Sequence, residues 1–274
     1  MRDRQDHPSH IGPFRLVGRL ADGRVGQRWV ALHERDRTNH LLYRLEPCRD
    51  NSERRETLAT IDEVSRITHA HALPIERYSL EQDGCPWVVA PYPGNQGGLV
   101  TLADVLEAKG GRLPAFECER TLDHLLSAVM TAHERGVVHG APEPDELLVD
   151  RHGSVLIELY GLANRLRQSP GVGPEVVRDE VRSFVLLGYT LLTGLPPEEP
   201  MIRASRIVRR LPKGWDAWFE RGLDPAGGFA SAREARDALP GRAGVPETPA
   251  PVVRAKGVLG RFRKAGRGGA EPLR

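Results

Sequence analysis

The most informative pattern in this chain is Val-Val-His-Gly-Ala-Pro-Glu-Pro-Asp-Glu-Leu-Leu-Val-Asp, residues 137–150. An apolar pair precedes His139, a proline-containing loop follows it, and Leu147-Leu-Val then begins an apolar run. A second apolar run, Val155-Leu-Ile, follows a turn-forming segment that begins at Asp150. Two short apolar runs on either side of a turn predict a β-hairpin. The stretch therefore predicts a buried histidine, a tight loop and a hairpin, in that order.

Length and composition are those of a globular protein of moderate size. The chain has 274 residues, of which 39% are hydrophobic and 28% charged, and its net charge of +2 identifies no partner. The three cysteines, Cys48, Cys85 and Cys118, lie far apart and form neither a metal-binding nor a disulfide pattern, which is typical of a reducing compartment. Residues 1–10 lack the apolar core of a secretion signal, and no apolar run approaches the ~20 residues of a membrane span. We therefore expect a cytoplasmic protein.

Charge is concentrated at the C-terminal end. From Arg254 onward, seven basic residues stand against one acidic residue, Glu271, which gives this tail a net charge of +6 and leaves −4 for the rest. Apolar residues interrupt the basic ones, so the tail fits a short amphipathic helix on an anionic membrane, a nucleic-acid contact through charge, or a disordered basic segment. The residues that would make such contacts are Arg254, Lys256, Arg261, Arg263, Lys264 and Arg267.

The first part of the chain is predicted to be rich in strands. Residues 11–45 alternate apolar and polar side chains around a turn at residues 21–26, which predicts a β-meander. Apolar residues recur every three positions from Leu58 to Ile67, so residues 54–68 are predicted to form a helix. Residues 69–75 and 87–92 are predicted to form two more strands.

The second part is predicted to be helical. Thr101 is a candidate N-cap of a short helix, and Gly194 is the expected end of a buried one. The other predicted helices are residues 117–135, 181–193, 215–223 and 232–239. If Trp215 and Trp218 were exposed on their shared helix face, they would indicate a partner surface. We predict a disordered N-terminus at residues 1–10, a β-rich lobe at 11–93, a helical lobe at 94–240 and a disordered Pro/Gly-rich basic tail at 241–274.

Five blocks of sequence, in order, resemble a bacterial serine/threonine protein kinase domain with degraded motifs. They are Gly18 to Ala31, Gly136-Val-Val-His139, Leu159-Tyr-Gly-Leu-Ala, Gly173-Pro-Glu and Leu191-Leu-Thr-Gly-Leu-Pro-Pro. The resemblance extends from about Ile11 to Pro240. It implies an α+β, bilobal protein-kinase-like fold with a small β-rich N-lobe and a larger helical C-lobe.

The resemblance also implies that the groups for phosphoryl transfer have been replaced. Phosphoryl transfer in kinases needs a catalytic Asp, metal-binding groups and a phosphate-positioning Lys. Ala141 stands at the catalytic Asp and has no polar side-chain atom, and Leu159 stands at the metal-binding Asp although Mg²⁺ requires oxygen ligands. Glu143 replaces a Lys of the same loop, and Glu146, at the metal-binding Asn, still offers a carboxylate. Glu158 would serve only after a one-residue slip, because neighbouring strand residues face opposite ways.

The nucleotide-binding positions are degraded as well. The glycine-rich loop has Ala21 at its first glycine, Arg28 and Leu42 stand at the adenine roof, and Pro93 of the linker has no N–H to donate. The positions concerned are Ala21, Gly23 and Gly26 of the loop, Arg28 and Leu42 of the roof, Arg44 at the strand Lys, Thr60 at the helix Glu, and Pro93. We therefore expect neither a bound nucleotide nor a metal or other cofactor.

Taken together, these positions favour a pseudokinase, which binds an unidentified protein partner as a regulatory or scaffolding module in signalling. Its acidic loop run, Glu143, Asp145 and Glu146, is a candidate contact surface. Two alternatives remain open. One is a degenerate serine/threonine kinase that retains weak binding of ATP and Mg²⁺ or weak phosphotransfer through Arg44, Glu146 and Glu158, and the other is a switch that binds ATP without hydrolysing it.

Overall fold

The computed structural model describes residues 9–95, 97–167, 172–198 and 200–242. Eight strands and eight α-helices lie in these ranges, with a 3₁₀ turn at Pro144–Glu146. The strands are β1 His10–Ile11, β2 Phe14–Arg19, β3 Gly26–His33, β4 Thr38–Leu45, β5 Arg77–Leu80, β6 Pro86–Pro91, β7 Leu147–Val149 and β8 Val155–Ile157. The helices are α1 Asn51–Ser65, α2 Leu102–Ala108, α3 Ala115–His133, α4 Leu162–Leu166, α5 Pro174–Thr193, α6 Ala204–Ile207, α7 Trp215–Leu223 and α8 Ala232–Asp237.

The N-terminal lobe is an antiparallel sheet with one helix packed against it. Its strand order is β1-β2-β3-β4-β6-β5, so the predicted meander is confirmed. Helix α1 begins at the N-cap Asp50, whose carboxylate accepts from the backbone N–H groups of Ser52 and Glu53. The predicted strand at residues 69–75 is wrong. That segment is irregular apart from one bridge, between Ala72 and Ile157, and the chain forms strand β5 instead.

Strand β4 is buried on both faces. Leu41, Tyr43 and Leu45 pack into the main core together with α1. Leu42 points the opposite way, into a second cluster that contains Trp29. The face of β4 that looks towards the helical lobe is therefore the face of Tyr43.

The C-terminal lobe is built around α3 and α5. Helix α5 ends at Gly194, which has the left-handed backbone (φ 76°) that the sequence predicted for a helix C-cap. The N-cap predicted at Thr101 is confirmed on α2, where Thr101 and Asp104 form a capping box. Trp215 and Trp218 are 0% and 3% exposed, so they belong to the core and not to a partner surface.

The two lobes are joined behind the cleft by main-chain bonds. The Leu73 N–H donates to the Ile157 carbonyl, and the Ile157 N–H donates to the His71 carbonyl, each at 2.9 Å. The His71 ring stacks on His124 of α3, with 3.9 Å between ring centroids. These contacts fix β8, and with it the residues that follow, against the N-terminal lobe.

None of the helices within the described ranges combines the length and apolar character that a bilayer-spanning segment requires. The tail contacts predicted for residues 254–267 lie outside the described residues. The lobe boundary at residues 93 and 94 and the disorder expected at both ends stay predictions.

Candidate functional site

The candidate site is the cleft beneath the β2–β3 hairpin. Two backbone hydrogen bonds between Gly23 and Gly26, of 3.0 and 3.3 Å, close the hairpin tip. Gly26 has φ 143°, and a Cβ there would lie 2.3 Å from the Arg44 carbonyl oxygen. Only glycine fits this position, so the tip needs Gly26 for its own geometry, whatever the cleft binds.

A buried ion pair crosses the cleft from Arg28 to Glu158. The Arg28 Nη1 lies 3.0 Å from both carboxylate oxygens of Glu158, and the Arg28 Nε donates to the Ala21 carbonyl at 3.1 Å. The Tyr43 hydroxyl donates to the same carboxylate at 2.5 Å. Arg28 is 6% exposed and Glu158 8% exposed. Side chains of β3 and β4 thus hold a carboxylate of the opposite lobe out of solvent.

Burial and charge act in opposite directions on this group. Burial raises the pKa of Glu158, while the Arg28 charge and the Tyr43 hydrogen bond only partly offset that rise. Burial and the adjacent carboxylate place the pKa of Tyr43 well above its usual value. Burial alone would lower the pKa of Arg28, but Glu158 reverses the direction and raises it. Arg28 therefore stays charged, and Tyr43 stays a hydrogen-bond donor.

A second arginine descends from the hairpin tip to the loop at residues 139–146. The Arg24 Nη2 donates to the Ala141 carbonyl at 2.5 Å, and its guanidinium forms an ion pair with Glu146. Burial works against ionisation of Glu146, but the neighbouring His139 and the Arg24 charge together lower its pKa. The Nε2 of His139 is buried and has no hydrogen-bond partner within the described part of the chain.

The space left between these side chains is small. A cavity of about 20 Å³ lies among Tyr43, His139, Glu146, Glu158 and Leu159. That volume admits about one water molecule, whereas ligand pockets typically measure ~300–1,000 Å³. A cavity of this volume does not hold a phosphate group together with a metal ion. The guanidinium groups of the two hairpin arginines occupy the cleft instead.

Two residues that we predicted to line the nucleotide site lie on the outer face of the sheet, away from the cleft. Leu42 packs into the outer cluster, and Arg44 makes 2.6 Å ion pairs with Glu81 and Asp83 within its own lobe. The expectation that Leu42 and Arg44 line a nucleotide site is therefore corrected by one residue. Tyr43 is the residue of β4 that reaches the cleft.

Glu158 also departs from its predicted place. We expected it to point away from the cleft because strand side chains alternate, but β8 already ends at Ile157. Leu159 then adopts φ 41°, a left-handed backbone that is uncommon for a bulky residue. This bend lets both Glu158 and Leu159 line the cavity, with no slip of the following residues.

The remaining predicted positions have other surroundings. Thr60 is half-buried on α1. Glu63, on the same helix, forms an ion pair with Arg165 of α4 at 2.5 Å. Pro93 is half-buried in the segment that follows β6. The sequence interpretation did not identify Arg24, although a cation at a turn that faces an acidic loop is a readable signal.

The loop itself rests on one buried carboxylate, Glu180 of α5. It accepts hydrogen bonds from the His139 N–H at 2.7 Å and from the Tyr160 hydroxyl at 2.8 Å, and its other oxygen lies 2.6 Å from the His133 Nε2. The His139 Nδ1 in turn accepts from the Gly161 N–H at 3.3 Å. His139 and Glu180 therefore have structural roles, and the predicted burial of His139 is confirmed.

Among the residues that the structure describes, one group of possible metal ligands is found, at Glu81, Asp83 and Cys85 outside the cleft. Arg44 already neutralises both carboxylates. Burial raises the pKa of Cys85 to about 11, so its thiol keeps its proton. These residues form an ion-pair cluster and not a metal centre.

The chain is similar in fold and in part of its sequence to known protein kinases. The crystal structure of the Mycobacterium tuberculosis PknI kinase domain superposes with a TM-score of 0.67 at 22% identity, covering 87% of this chain and all of that one. A probable serine/threonine-protein kinase PknB of Bifidobacterium longum is 27% identical over 186 residues, which is 54% of this chain and 26% of that protein. The serine/threonine-protein kinase grp of Drosophila melanogaster is 36% identical over 128 residues, 39% of this chain and 25% of that protein.

The fold and its relatives define the class. The chain has a protein kinase-like fold, α+β and bilobal, with an antiparallel sheet in the small lobe and helices in the large one. It spans about a quarter of the length of the two curated relatives described above. No family model matches the sequence.

Proposed function

We propose that this chain is a catalytically inactive kinase-like domain, a pseudokinase, which acts as a regulatory or scaffolding module and binds a protein partner. One observation supports this proposal above the others: the Arg28–Glu158 ion pair lies in the cleft and leaves a cavity of about 20 Å³. Ala141 and Leu159 add to it, because neither side chain can accept a proton or bind a metal ion.

Nucleotide binding is the direct test. Wild-type protein is melted with ATP alone and with Mg-ATP at concentrations up to several millimolar, and no saturable rise in Tm is expected. A ligand that binds the folded state at 100 times its Kd stabilises it by ~2.7 kcal/mol, so binding would be visible as a rise of several degrees. Such a saturable rise would remove the proposal.

Residual phosphotransfer is the second candidate, and one observation favours it. Glu146 and Glu158 both face the same cavity, so two carboxylate oxygen ligands stand where a metal would be needed. Incubation with radiolabelled ATP, Mg²⁺ and generic protein substrates separates the two candidates. Incorporation that Glu158→Gln abolishes and Arg44→Ala leaves intact would establish the enzyme, because Arg44 pairs outside the cleft.

The basic tail is proposed, from its sequence alone, to add a contact with an anionic membrane surface or with nucleic acid. Binding to vesicles with anionic lipid is compared for the full chain and for a chain ending at residue 251. Equal binding of both proteins would exclude a membrane role for residues 252–274. The same pair of proteins, tested on single- and double-stranded DNA at two salt concentrations, examines the nucleic-acid alternative.

A further inference from the structure

The lobes of this domain are tied across the cleft by two arginines of one hairpin. Arg28 reaches Glu158, and Arg24 reaches the Ala141 carbonyl and Glu146. We use the name arginine clasp for Arg24 and Arg28 together with these acceptors. All of the arginine side chains in it come from the N-terminal lobe, and all of their carboxylate partners come from the C-terminal lobe.

The clasp depends on a hairpin of defined shape. The Leu20 N–H donates to the Arg28 carbonyl at 2.9 Å, and the Gly23–Gly26 pair closes the tip. A side chain at Gly26 would collide with the main chain of β4, so the hairpin packs closely against that strand at Gly26. In this hairpin, Arg24 and Arg28 both point towards the C-terminal lobe.

Charge balance explains why the clasp closes the cleft. Glu158 and Glu146 are both buried, and a buried carboxylate without a counter-charge is strongly unfavourable. Each has one guanidinium partner from the hairpin, so the cations that neutralise this cleft are supplied by the chain. Separating the lobes would break both pairs at once.

We propose that the arginine clasp holds the two lobes closed in the absence of any nucleotide, with the guanidinium groups acting as built-in substitutes for a cationic ligand. The domain then presents a surface spanning both lobes in one fixed arrangement. This inference rests on the proposed function in one respect, since a nucleotide and the clasp would compete for the same space.

Hydrogen exchange measures the closure directly. Backbone amides of Leu20, Gly23 and Gly26 report the hairpin, and the Leu73 amide, bonded to Ile157, is the reference because it joins the lobes away from the clasp. In nucleotide-free wild-type protein the hairpin amides are expected to be protected. The variant with both Arg24→Met and Arg28→Met is expected to exchange them at least about tenfold faster, with the Leu73 amide unchanged.

The matched control is Arg44→Met, which removes an arginine with two carboxylate partners that stays within one lobe. It is expected to leave hairpin exchange at the wild-type rate. If the double variant does not fold, the charge-swapped protein with Arg28→Glu and Glu158→Arg replaces it. In that protein, protection at the hairpin exceeding that of Arg28→Glu alone supports the clasp, and no recovery refutes it.

Two results would overturn the inference. One is unchanged hairpin exchange when both arginines are removed, and the other is a wild-type hairpin that exchanges freely until Mg-ATP is added. The second result would also refute the proposed function. A protected wild-type hairpin combined with positive phosphotransfer would refute only the proposed function and leave the clasp in place.

Discussion

Replacing Arg28 by methionine tests how much the cleft ion pair contributes to stability. Both partners are less than 9% exposed, and the methionine stem keeps much of the buried volume while removing two 3.0 Å contacts to Glu158. Removing one partner of a buried pair typically costs 3–5 kcal/mol. The Glu158 pKa is already raised, so this carboxylate takes up a proton more readily than an ordinary one, which favours the lower end. We expect a loss of about 3 kcal/mol, or a fall in Tm of roughly 6–12 °C for a domain of this size.

A double-mutant cycle identifies the source of that loss. Glu158→Gln removes the charge but leaves an amide oxygen for the Tyr43 hydroxyl, so the combined variant with Arg28→Met contains no unpaired ion. We expect the combined variant to be more stable than the sum of the single changes by about 2–3 kcal/mol. The assay is equilibrium unfolding in urea, followed by fluorescence and by circular dichroism, with coincident transitions as the check on two-state behaviour.

The control for this cycle is Arg44→Met. The Arg44 side chain is 21% exposed and its partners Glu81 and Asp83 are 17% and 54% exposed, so its pairs are partly screened and should contribute about 1 kcal/mol or less. If Arg28→Met costs no more than this control, or if the two cleft changes are additive, the electrostatic account of the closed cleft is wrong.

Three further predictions concern other parts of the domain. Gly26→Ala should cost about 3 kcal/mol of stability in thermal unfolding, because Gly26 has φ 143° and an added Cβ would lie 2.3 Å from the main chain. The control Gly23→Ala, whose added Cβ would have its nearest neighbour at 3.8 Å, should cost less than about 1 kcal/mol. Equal losses for the two variants would contradict this steric explanation. Glu180→Ala should cost about 3–5 kcal/mol in urea unfolding, because the buried His139 N–H and Tyr160 hydroxyl lose their acceptor. The control Asp179→Ala, at an exposed neighbouring residue, should change stability by no more than about 0.5 kcal/mol. Burial lowers the pKa of His124 to about 4, so the stability that comes from its neutral ring is present above pH 6.5 and is lost as the pH falls from there towards 4. Over that range wild-type protein should lose about 1–3 kcal/mol more than His124→Gln, and parallel pH profiles of the two urea midpoints would refute this.

The sequence predicted the long elements well because the hydrophobic pattern of each is compatible with one type of secondary structure. The stripe on α3, the left-handed glycine that ends α5, and the β7–β8 hairpin all have the expected type and place, whereas α5 begins at Pro174 and not at Val181 as predicted. Strand β5 was missed because it has four residues of mixed exposure, whereas the apolar residues just before it belong to an irregular segment. Periodicity alone cannot separate these cases.

The cleft was harder to predict, and β4 shows why. Leu41, Leu42 and Tyr43 are all fully buried, so the apolar run itself does not mark which side of the strand looks towards the cleft. The one-residue error at Leu42 and Arg44 follows from that missing signal. Glu158 was misplaced for a different reason, since the rule of alternating faces stops applying where β8 ends.

The ion pairs of the cleft depend on long-range placement. Arg28 and Glu158 are 130 positions apart, and nothing in either local sequence indicates that they meet. The sequence placed Arg28 at the adenine roof. It did not predict that Arg28 would pair with Glu158 and so join the two lobes.

The backbone at Leu159 has a consequence for protein engineering. With φ 41°, this position imposes a torsional cost on leucine that asparagine or aspartate bears more easily, because their short polar side chains tolerate the left-handed region. The position also lines the cavity, so a polar substituent there would be delivered to the centre of the cleft without rebuilding the main chain. A substitution at residue 159 could therefore place an oxygen ligand in the cavity on the existing backbone. Its main cost would be the lost packing of the Leu159 side chain.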